Sequence, residues 1–256
     1  MLGLYRERSV GFENIVTLAA LIFVAATLYS SVGHGGASGY LAAMAMFSMT
    51  PLEMKPVALT LNILVASIAL VKYLKAGRFS WSILWPFALA SIPFAYIGGL
   101  ILLPSIYYKP LIGLVLIYVA YHFVMNSAKT DCEIKAPFIP IVLLLGAVLG
   151  FFSGLVGVGG GIFLSPLLIM LKWENIKNVS GIAAAFVLVN SIAGLLGFLS
   201  SKTPQLPEGL TIWVIAAVIG GYIGSEYGSK RFGSSTIQYL LSWVLLVAGI
   251  KMIATI

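Results

Sequence analysis

Residues 136–171 read APFIPIVLLLGAVLGFFSGLVGVGGGIFLSPLLIML, an uncharged stretch of 36 residues. As a single helix this stretch would be roughly 54 Å long, whereas the hydrocarbon core of a bilayer is about 30 Å thick. Four of the five residues 157–161 are glycine, and each glycine inside a helix costs about 1 kcal/mol relative to alanine. We therefore predict a helix that ends at these glycines and a second, short helix over about 162–171.

A second uncharged stretch, residues 14–52, has 39 residues and is also too long for one crossing. It contains Ser31-Val32-Gly33-His34-Gly35-Gly36, which is again rich in glycine. We predict a break at this point, followed by a short helix over about 37–49. That helix is expected to end at Thr50-Pro51, because the residue before a proline is disfavoured in a helix.

The composition of the chain excludes an ordinary water-soluble protein. Hydrophobic residues make up 60 % of the chain, charged residues make up 9 %, and the mean hydropathy is +1.05, whereas soluble domains carry about 25 % charged residues. The uncharged runs are long and lack the short alternating pattern of barrel strands. We predict an all-α, polytopic membrane protein of the inner membrane of a bacterium or archaeon. Its eight uncharged windows are 14–52, 56–71, 79–108, 110–128, 136–171, 178–201, 209–225 and 232–250.

The two glycine segments belong to an internal repeat with an offset of 124 residues. This offset places Val32, Gly33, Gly35 and Gly36 on Val156, Gly157, Gly159 and Gly160. It also places Leu64, Val65, Ser67, Ile68 and Ala69 on Leu188, Val189, Ser191, Ile192 and Ala193. We predict two homologous transmembrane repeats, residues 10–126 and 137–256, joined by a polar linker at 127–136. Each repeat begins with a glycine-interrupted helix.

Two membrane topologies are compatible with this organisation. If each long window crosses once, the chain makes about eight crossings and the two halves are parallel. If each long window is a re-entrant hairpin, each half has three crossings and the halves are inverted. The positive-inside rule does not choose between them, because both place nine Lys and Arg residues on one side and six on the other. Segments 15–31 and 138–156 are nearly long enough to span, which favours eight crossings.

The glycine breaks are candidate sites for an anion. An interrupted helix exposes backbone N–H groups and the positive end of a helix dipole, and secondary transporters bind substrates at such ends near the membrane midplane. His34 is either an anion contact or proton-coupling group, or a structural histidine. Asn62 and the pair Asn190-Ser191 are mid-span candidates, with interhelical bonding as the alternative. The other candidate substrate-binding residues are Gly33, Gly35, Gly36, Ser38, Gly157, Gly159, Gly160, Gly161 and Ser165.

The segment from Gly154 to Pro166, GLVGVGGGIFLSP, and its weaker copy SVGHGGASG at 31–39 resemble the paired signature of the TauE/SafE family, also called the 4-toluene sulfonate uptake permease family. The resemblance covers essentially the whole chain. It implies a transporter of small sulfur-containing anions such as sulfite, sulfoacetate or other sulfonates, often working as an exporter. The first copy has His34 in place of Val158 and Ala37 in place of Gly161, so symmetric use of the two breaks is not expected.

The predicted function is a secondary membrane transporter, with a channel-like facilitator for another small anion or organic acid as the alternative. The expected partners are a small anionic substrate and the lipid bilayer; a coupled proton or other ion and a homo-oligomer are left open. The chain has one cysteine and two histidines and no phosphate-binding GxxxxGKS or GxxxxGKT motif, so we expect no enzymatic activity, no cofactor and no metal. The net charge of +7 suits a membrane surface, and no nucleic-acid partner is expected.

The remaining charges and glycines have simple structural interpretations. Glu53 with Lys55, and Glu226 with Lys230, are expected to be interfacial anchors or local pairs. Lys72, Lys75 and Arg78 form a basic cluster typical of a cytoplasmic anchor. The isolated pairs Gly98-Gly99 and Gly220-Gly221 are expected to let helices pack closely.

Overall fold

The computed structural model describes residues 12–125, 135–204 and 206–230, together with the single positions 246, 250 and 253. Within these residues all regular structure is α-helical. The helices are α1 (Phe12–Ser30), α2 (Ala37–Met46), α3 (Pro51–Lys75), α4 (Trp81–Leu100), α5 (Ser105–Met125), α6 (Ile139–Val156), α7 (Gly161–Met170), α8 (Ile176–Ser201) and α9 (Leu210–Lys230). The predicted linker at 127–136 and the last predicted window, 232–250, lie largely outside the described residues.

Six of these helices are long and apolar enough to cross a membrane. They contain the candidate spans Glu13–Ser30, Pro51–Lys75, Trp81–Leu100, Ile139–Val156, Asn178–Ser201 and Leu210–Lys230. Each backbone donor and acceptor in such a helix is satisfied within the segment, which the bilayer interior requires. The predicted all-α architecture with several membrane spans is therefore confirmed for the part of the chain that the structure describes.

Both glycine segments lie between helices. The first separates the end of α1 from the start of α2, and the second separates α6 from α7. Gly36 has a φ of 105° and Gly160 a φ of 79°, and each immediately precedes a short helix. These left-handed conformations are strained for residues with a Cβ. Since α2 and α7 have 10 residues each, they are about 15 Å long and too short to span a bilayer.

Two pairs of helices are joined by seams of glycine. On α6, three glycines on successive turns face backbone oxygens of α4, and a Cβ at any of them would lie within 3.0 Å of such an oxygen. The pairs are Gly146 with Phe87, Gly150 with Ser91, and Gly154 with Ala95. Because both members of each pair advance by four residues together, α4 and α6 run in the same direction. Small residues allow helix backbones to approach this closely in a membrane.

The second seam joins α1 to α9 in the same way. Here α9 supplies the glycines and α1 the backbone oxygens, again with less than 3.0 Å available for a Cβ. The pairs are Gly220 with Phe23, Gly224 with Thr27, and Gly228 with Ser31. At the other end of the seam, Trp213 Nε1 donates to Ile15 O at 3.1 Å. Thus α1 and α9 also run in the same direction.

Helices α3 and α8 pack on each other and connect the two seams, because α3 also contacts α9 and α8 also contacts α4. Tyr73 near the end of α3 contacts Gly181 near the start of α8. Further along α8, Gly194 lies beside Leu59 in the first half of α3. The two central helices are therefore antiparallel. As expected, Gly99 serves helix packing, since a Cβ there would lie within 3.0 Å of Gly194 O.

The predicted local pair of Glu53 with Lys55 is wrong. Glu53 instead accepts hydrogen bonds from the backbone N–H and the hydroxyl of Thr50, each at 2.8 Å, and so caps the start of α3. Lys55 turns into the protein and is fully buried. A buried lysine needs hydrogen-bond acceptors, and those of Lys55 lie at the end of α4. Because they are distant in sequence, the local spacing of charges does not reveal them.

The charges at the ends of α3 and α9 connect these two helices. Glu226 pairs with Lys230, as expected, but also with Lys72 on α3. Arg78 follows α3 and donates from Nη1 to Gly228 O at 3.1 Å. Part of the basic cluster is therefore engaged in contacts between helices.

Replacing Gly154 by alanine is expected to destabilise the fold, because the added methyl would clash with Ala95 O and force α4 and α6 apart. Overpacking of this kind costs about 1–3 kcal/mol. Val148→Leu is a matched control, since it also adds one carbon to α6 but at a side chain that is 45 % exposed on the outer surface. Thermal unfolding in detergent should show a lower midpoint for Gly154→Ala alone. An unchanged midpoint would contradict the proposed tightness of the seam.

Candidate functional site

The two glycine segments meet inside the protein. His34 in the first segment places Nε2 at 3.1 Å from Gly161 O and at 3.0 Å from Ser165 Oγ, both at the start of α7. His34 and Ser165 are buried. With the ring proton on Nε2, His34 donates to Gly161 O; without it, Nε2 accepts from the Ser165 hydroxyl. In either case the imidazole ring connects the first break to the helix that follows the second.

Asn62 on α3 connects both breaks through one side chain. Its Oδ1 accepts a hydrogen bond from Ala37 N at 3.0 Å, and its Nδ2 donates to Val158 O at 3.1 Å. A further contact runs from Nδ2 to Ser191 Oγ on α8 at 3.3 Å. Asn62 is completely buried. It therefore satisfies the first N–H of α2, which has no partner within its own helix.

The glycines around Asn62 are required because the space for a side chain is already filled. A Cβ at Gly159 would lie 2.7 Å from Asn62 Nδ2 and 2.9 Å from Val187 Cγ1. A Cβ at Gly35 or Gly161 would also fall within 3.0 Å of Val187. The structure thus brings Gly35, Gly159 and Gly161 together around Asn62 and Val187. Protein atoms occupy the centre in this conformation.

The other predicted glycines pack against different neighbours. A Cβ at Gly33 would clash with the Ser180 backbone, and one at Gly160 would lie 2.9 Å from the Phe186 ring. Gly36 packs against Tyr40, whose hydroxyl donates to Gly35 O at 2.7 Å. These positions border the central group.

Three further predicted residues lie around this centre with different roles. Ser38 is fully buried in the first turn of α2. Asn190 donates from Nδ2 to Phe186 O of its own helix at 2.9 Å, so the structure does not join it to Asn62. A Cβ at Gly157 would lie 3.2 Å from Lys55 Cγ, which places this glycine beside the buried cation.

Sequence reasoning missed Lys55 and Val187 as members of this region. Lys55 Nζ donates to Gly98 O and Gly99 O at 3.2 Å each and to Ile101 O at 2.8 Å. It also lies 5.8 Å from the centroid of the Phe198 ring. One signal in the sequence pointed to it, because Lys55 and Asn62 are seven residues apart and share a helix face.

The chemistry of the region is that of amides, hydroxyls, one imidazole and one ammonium group. Among the described residues, no three His, Cys, Asp or Glu side chains are grouped to hold a metal ion. Two cavities lie in other parts of the described structure. One, of about 350 Å³, lies beside Glu226, and the other, of about 590 Å³, is an apolar groove between α4 and α8. The region suits recognition of a small polar or anionic molecule by donors.

The apolar helices and their buried polar breaks define an integral, multi-pass α-helical membrane protein. Residues 18–252 match the family model described as Sulfite exporter TauE/SafE. The chain belongs to the TauE/SafE family of membrane transporters, which confirms the resemblance of its glycine motifs.

Relatives with similar sequences are found in bacteria and in an archaeon. Over 242 residues the chain is 38 % identical to the probable membrane transporter protein y4hK of Sinorhizobium fredii, covering 93 % of this chain and 98 % of that protein. It is 25 % identical over 198 residues to the probable membrane transporter protein MJ0441 of Methanocaldococcus jannaschii, covering 73 % of each chain. No solved structure matches the chain significantly. The predicted location in a cell membrane is confirmed.

Asn62→Ala is expected to destabilise the protein more than Asn190→Ala, although both remove the same atoms from a fully buried position. The first change removes the side-chain partner of Ala37 N and Val158 O, and each unsatisfied buried group costs about 1–3 kcal/mol. The second removes one hydrogen bond within α8. Thermal unfolding of the purified variants compares the two. Equal losses would show that Asn62 does not hold the breaks together.

Proposed function

We propose that the protein is a secondary carrier for small sulfur-containing oxyanions such as sulfite, sulfoacetate or related sulfonates. The observation that carries the proposal is the convergence of both glycine breaks on Asn62, in the interior of a chain that belongs to this family. The starts of α2 and α7 lie at this point, and each presents the positive end of a helix dipole. An oxyanion would bind there through backbone N–H groups, without a deeply buried arginine.

The packing of the helices supports two related halves. The offset of 124 residues makes α1, α2, α3 and α4 the counterparts of α6, α7, α8 and α9. Under this exchange, the contact of α1 with α9 becomes that of α6 with α4, and the contact of α3 with α9 becomes that of α8 with α4. The contact of α3 with α8 maps onto itself. This pattern is expected for two repeats over about 10–126 and 137–256 that are related by a pseudo-two-fold axis.

Helix directions favour inverted halves. Gly39 on α2 lies beside Ala25 and Tyr29 on α1, so α2 returns along α1 towards the side on which α1 began. Helix α9 runs parallel to α1 and also to α3, because Val65 contacts Gly221 and Lys72 pairs with Glu226. Helix α6 runs the opposite way, since its end at Gly157 lies beside the start of α3.

The proposed topology therefore has two re-entrant hairpins and three crossings in each half. It differs from the alternative topology, with eight crossings and parallel halves, which the lengths of the helical segments favour. In this topology the loop after α3 and the loop after α8 face opposite sides of the membrane. The larger group of nine Lys and Arg residues includes the loop after α3, so this loop is placed in the cytoplasm.

In our proposal the structure represents an occluded conformation, in which protein atoms fill the anion site. Asn62 Oδ1 accepts the hydrogen bond from Ala37 N, which is the role that an oxyanion oxygen would take in the loaded state. Movement of Asn62 and Val187 away from the glycines would open the site to the anion. Alternating access would then carry the anion between the two sides.

Gly159→Leu is expected to abolish sulfonate transport, because a side chain there would occupy the space beside Asn62 Nδ2 and Ser191 Oγ. Gly77→Leu is the matched control. Gly77 also has a positive φ, +66° against +82° for Gly159, but nothing lies within 4 Å of its Cβ position. Uptake and counterflow of labelled sulfoacetate and sulfite in proteoliposomes measure the effect. Transport by Gly159→Leu at the wild-type rate would overturn the proposed site, and absence of counterflow in the wild type would favour a channel-like facilitator.

Cysteine labelling tests the topology in a Cys132→Ser background. Ala76→Cys follows α3, and Thr203→Cys lies between α8 and α9; both positions are exposed. Inverted halves place the two cysteines on opposite sides of the membrane, whereas eight crossings place them on the same side. Labelling of intact cells with a membrane-impermeant maleimide, with and without permeabilisation, separates these outcomes. The expected result is that only Thr203→Cys reacts before permeabilisation.

A further inference from the structure

Lys55 is a buried cation that has no acidic partner in the part of the chain that the structure describes. Its side chain is fully buried, and its three hydrogen bonds go to the backbone carbonyls of Gly98, Gly99 and Ile101. Among the described residues, the ion pairs that involve a carboxylate are those of Glu226 with Lys72 and with Lys230. No carboxylate therefore pairs with Lys55. A buried charge is costly unless an opposite charge compensates it. An ionisable residue inside a membrane span is for this reason a functional candidate.

Ser153 is a second unusual polar group beside the same break. It lies on the last turn of α6, is fully buried, and its hydroxyl has no hydrogen-bond partner among the described residues. Thr60 and Ser67, by contrast, each donate to the carbonyl four residues earlier. The Ser153 Cβ is 3.3 Å from the Cβ position of Gly160. A donor is thus available next to the glycines.

The first break lacks a cation equivalent to Lys55. The repeat offset places Val179 at the position equivalent to Lys55 and Tyr29 at the position equivalent to Ser153. Tyr29 and Ser38 place buried hydroxyls beside the first break as well, so hydroxyl groups flank both breaks. The buried ammonium group is the feature that distinguishes the second break.

We propose that the second break holds the anionic group of the transported molecule, with Lys55 Nζ as its counter-charge and Ser153 Oγ as a hydrogen-bond donor. This inference rests on the proposed carrier function and specifies which half of the site recognises charge. Lys55 contacts Gly157 at one end of the break, and Ser153 faces Gly160 at the other. An oxyanion between them would receive donors from both ends.

The carbonyl contacts of Lys55 fit the state without substrate. The last carbonyls of α4 carry the negative end of its helix dipole and would repel an anion approaching this end of the break. Lys55 neutralises them in the present structure. When an oxyanion enters, the ammonium group exchanges a neutral carbonyl acceptor for a charged one, which is the stronger hydrogen-bond partner. The site therefore favours anions over neutral molecules of the same shape.

Binding and stability measured together test this assignment. Purified wild type in detergent is screened by thermal shift with sulfite, thiosulfate, sulfoacetate, taurine and chloride, since a ligand of the folded state raises the unfolding temperature. The dissociation constant of the anion with the largest shift is then measured by titration calorimetry. The variants are Ser153→Ala, Lys55→Gln and Lys55→Arg. Lys72→Gln is the control, because it removes another α3 cation that pairs with Glu226 away from the break.

Ser153→Ala is expected to unfold at or above the wild-type temperature, since it deletes an unpaired buried hydroxyl, and to bind the anion about tenfold more weakly. Lys55→Gln should lose binding by about a hundredfold or more, Lys55→Arg should retain most of it, and Lys72→Gln should bind as the wild type. A purely structural Lys55 would lower the unfolding temperature and leave the dissociation constant unchanged.

The outcomes separate this inference from the carrier function. If the wild type binds an anion and Ser153→Ala and the Lys55 variants bind it equally well, the assignment to the second break is overturned and the carrier function stands. If none of the five anions shifts the wild type, both are overturned. Should Lys55→Gln fail to fold, Ser153→Ala decides the result.

Discussion

The side-chain amide of Asn62 forms three hydrogen bonds, which connect the start of α2 to the second glycine break and to α8. Irregular backbone within a membrane protein is tolerated only where protein or water satisfies its polar groups. Asn62 meets this requirement for both breaks at once, since it accepts from one segment and donates to the other. The glycines on either side allow the backbones to come close enough for one short side chain to reach both.

Much of this arrangement could be predicted because it depends on local properties of the sequence. An uncharged stretch of 36 or 39 residues cannot be one spanning helix, and the glycines at 33–36 and 157–161 indicate where it ends. The helices do end there, at Ser30 and Val156. Asn62 and His34 were identified as intramembrane polar residues. Their partners, Ser191 and Gly161, lie 129 and 127 residues away, and no local pattern indicates them.

The remaining features depend on which helices surround a residue. Lys55 follows Glu53 at the edge of an uncharged window, so its spacing indicates an interface. It is buried because the end of α4 and Gly157 cover it. The direction of each helix also cannot be predicted from local sequence, because both topologies place nine Lys and Arg residues on one side and six on the other. Paired contacts between helices, such as those along α4 with α6 and α1 with α9, distinguish parallel from antiparallel neighbours.

The two glycine seams also constrain how such a carrier could move. Each seam joins one helix of the first half to one of the second, α1 with α9 and α6 with α4, and each leaves no room for a Cβ over three turns. Backbones in such close contact cannot slide past one another without overlap. In the proposed carrier, the units that move would therefore be mixed pairs rather than the two sequence halves. The contact of α3 with α8, which carries Asn62 and Ser191, lies between those pairs and is the place where relative movement would open the site.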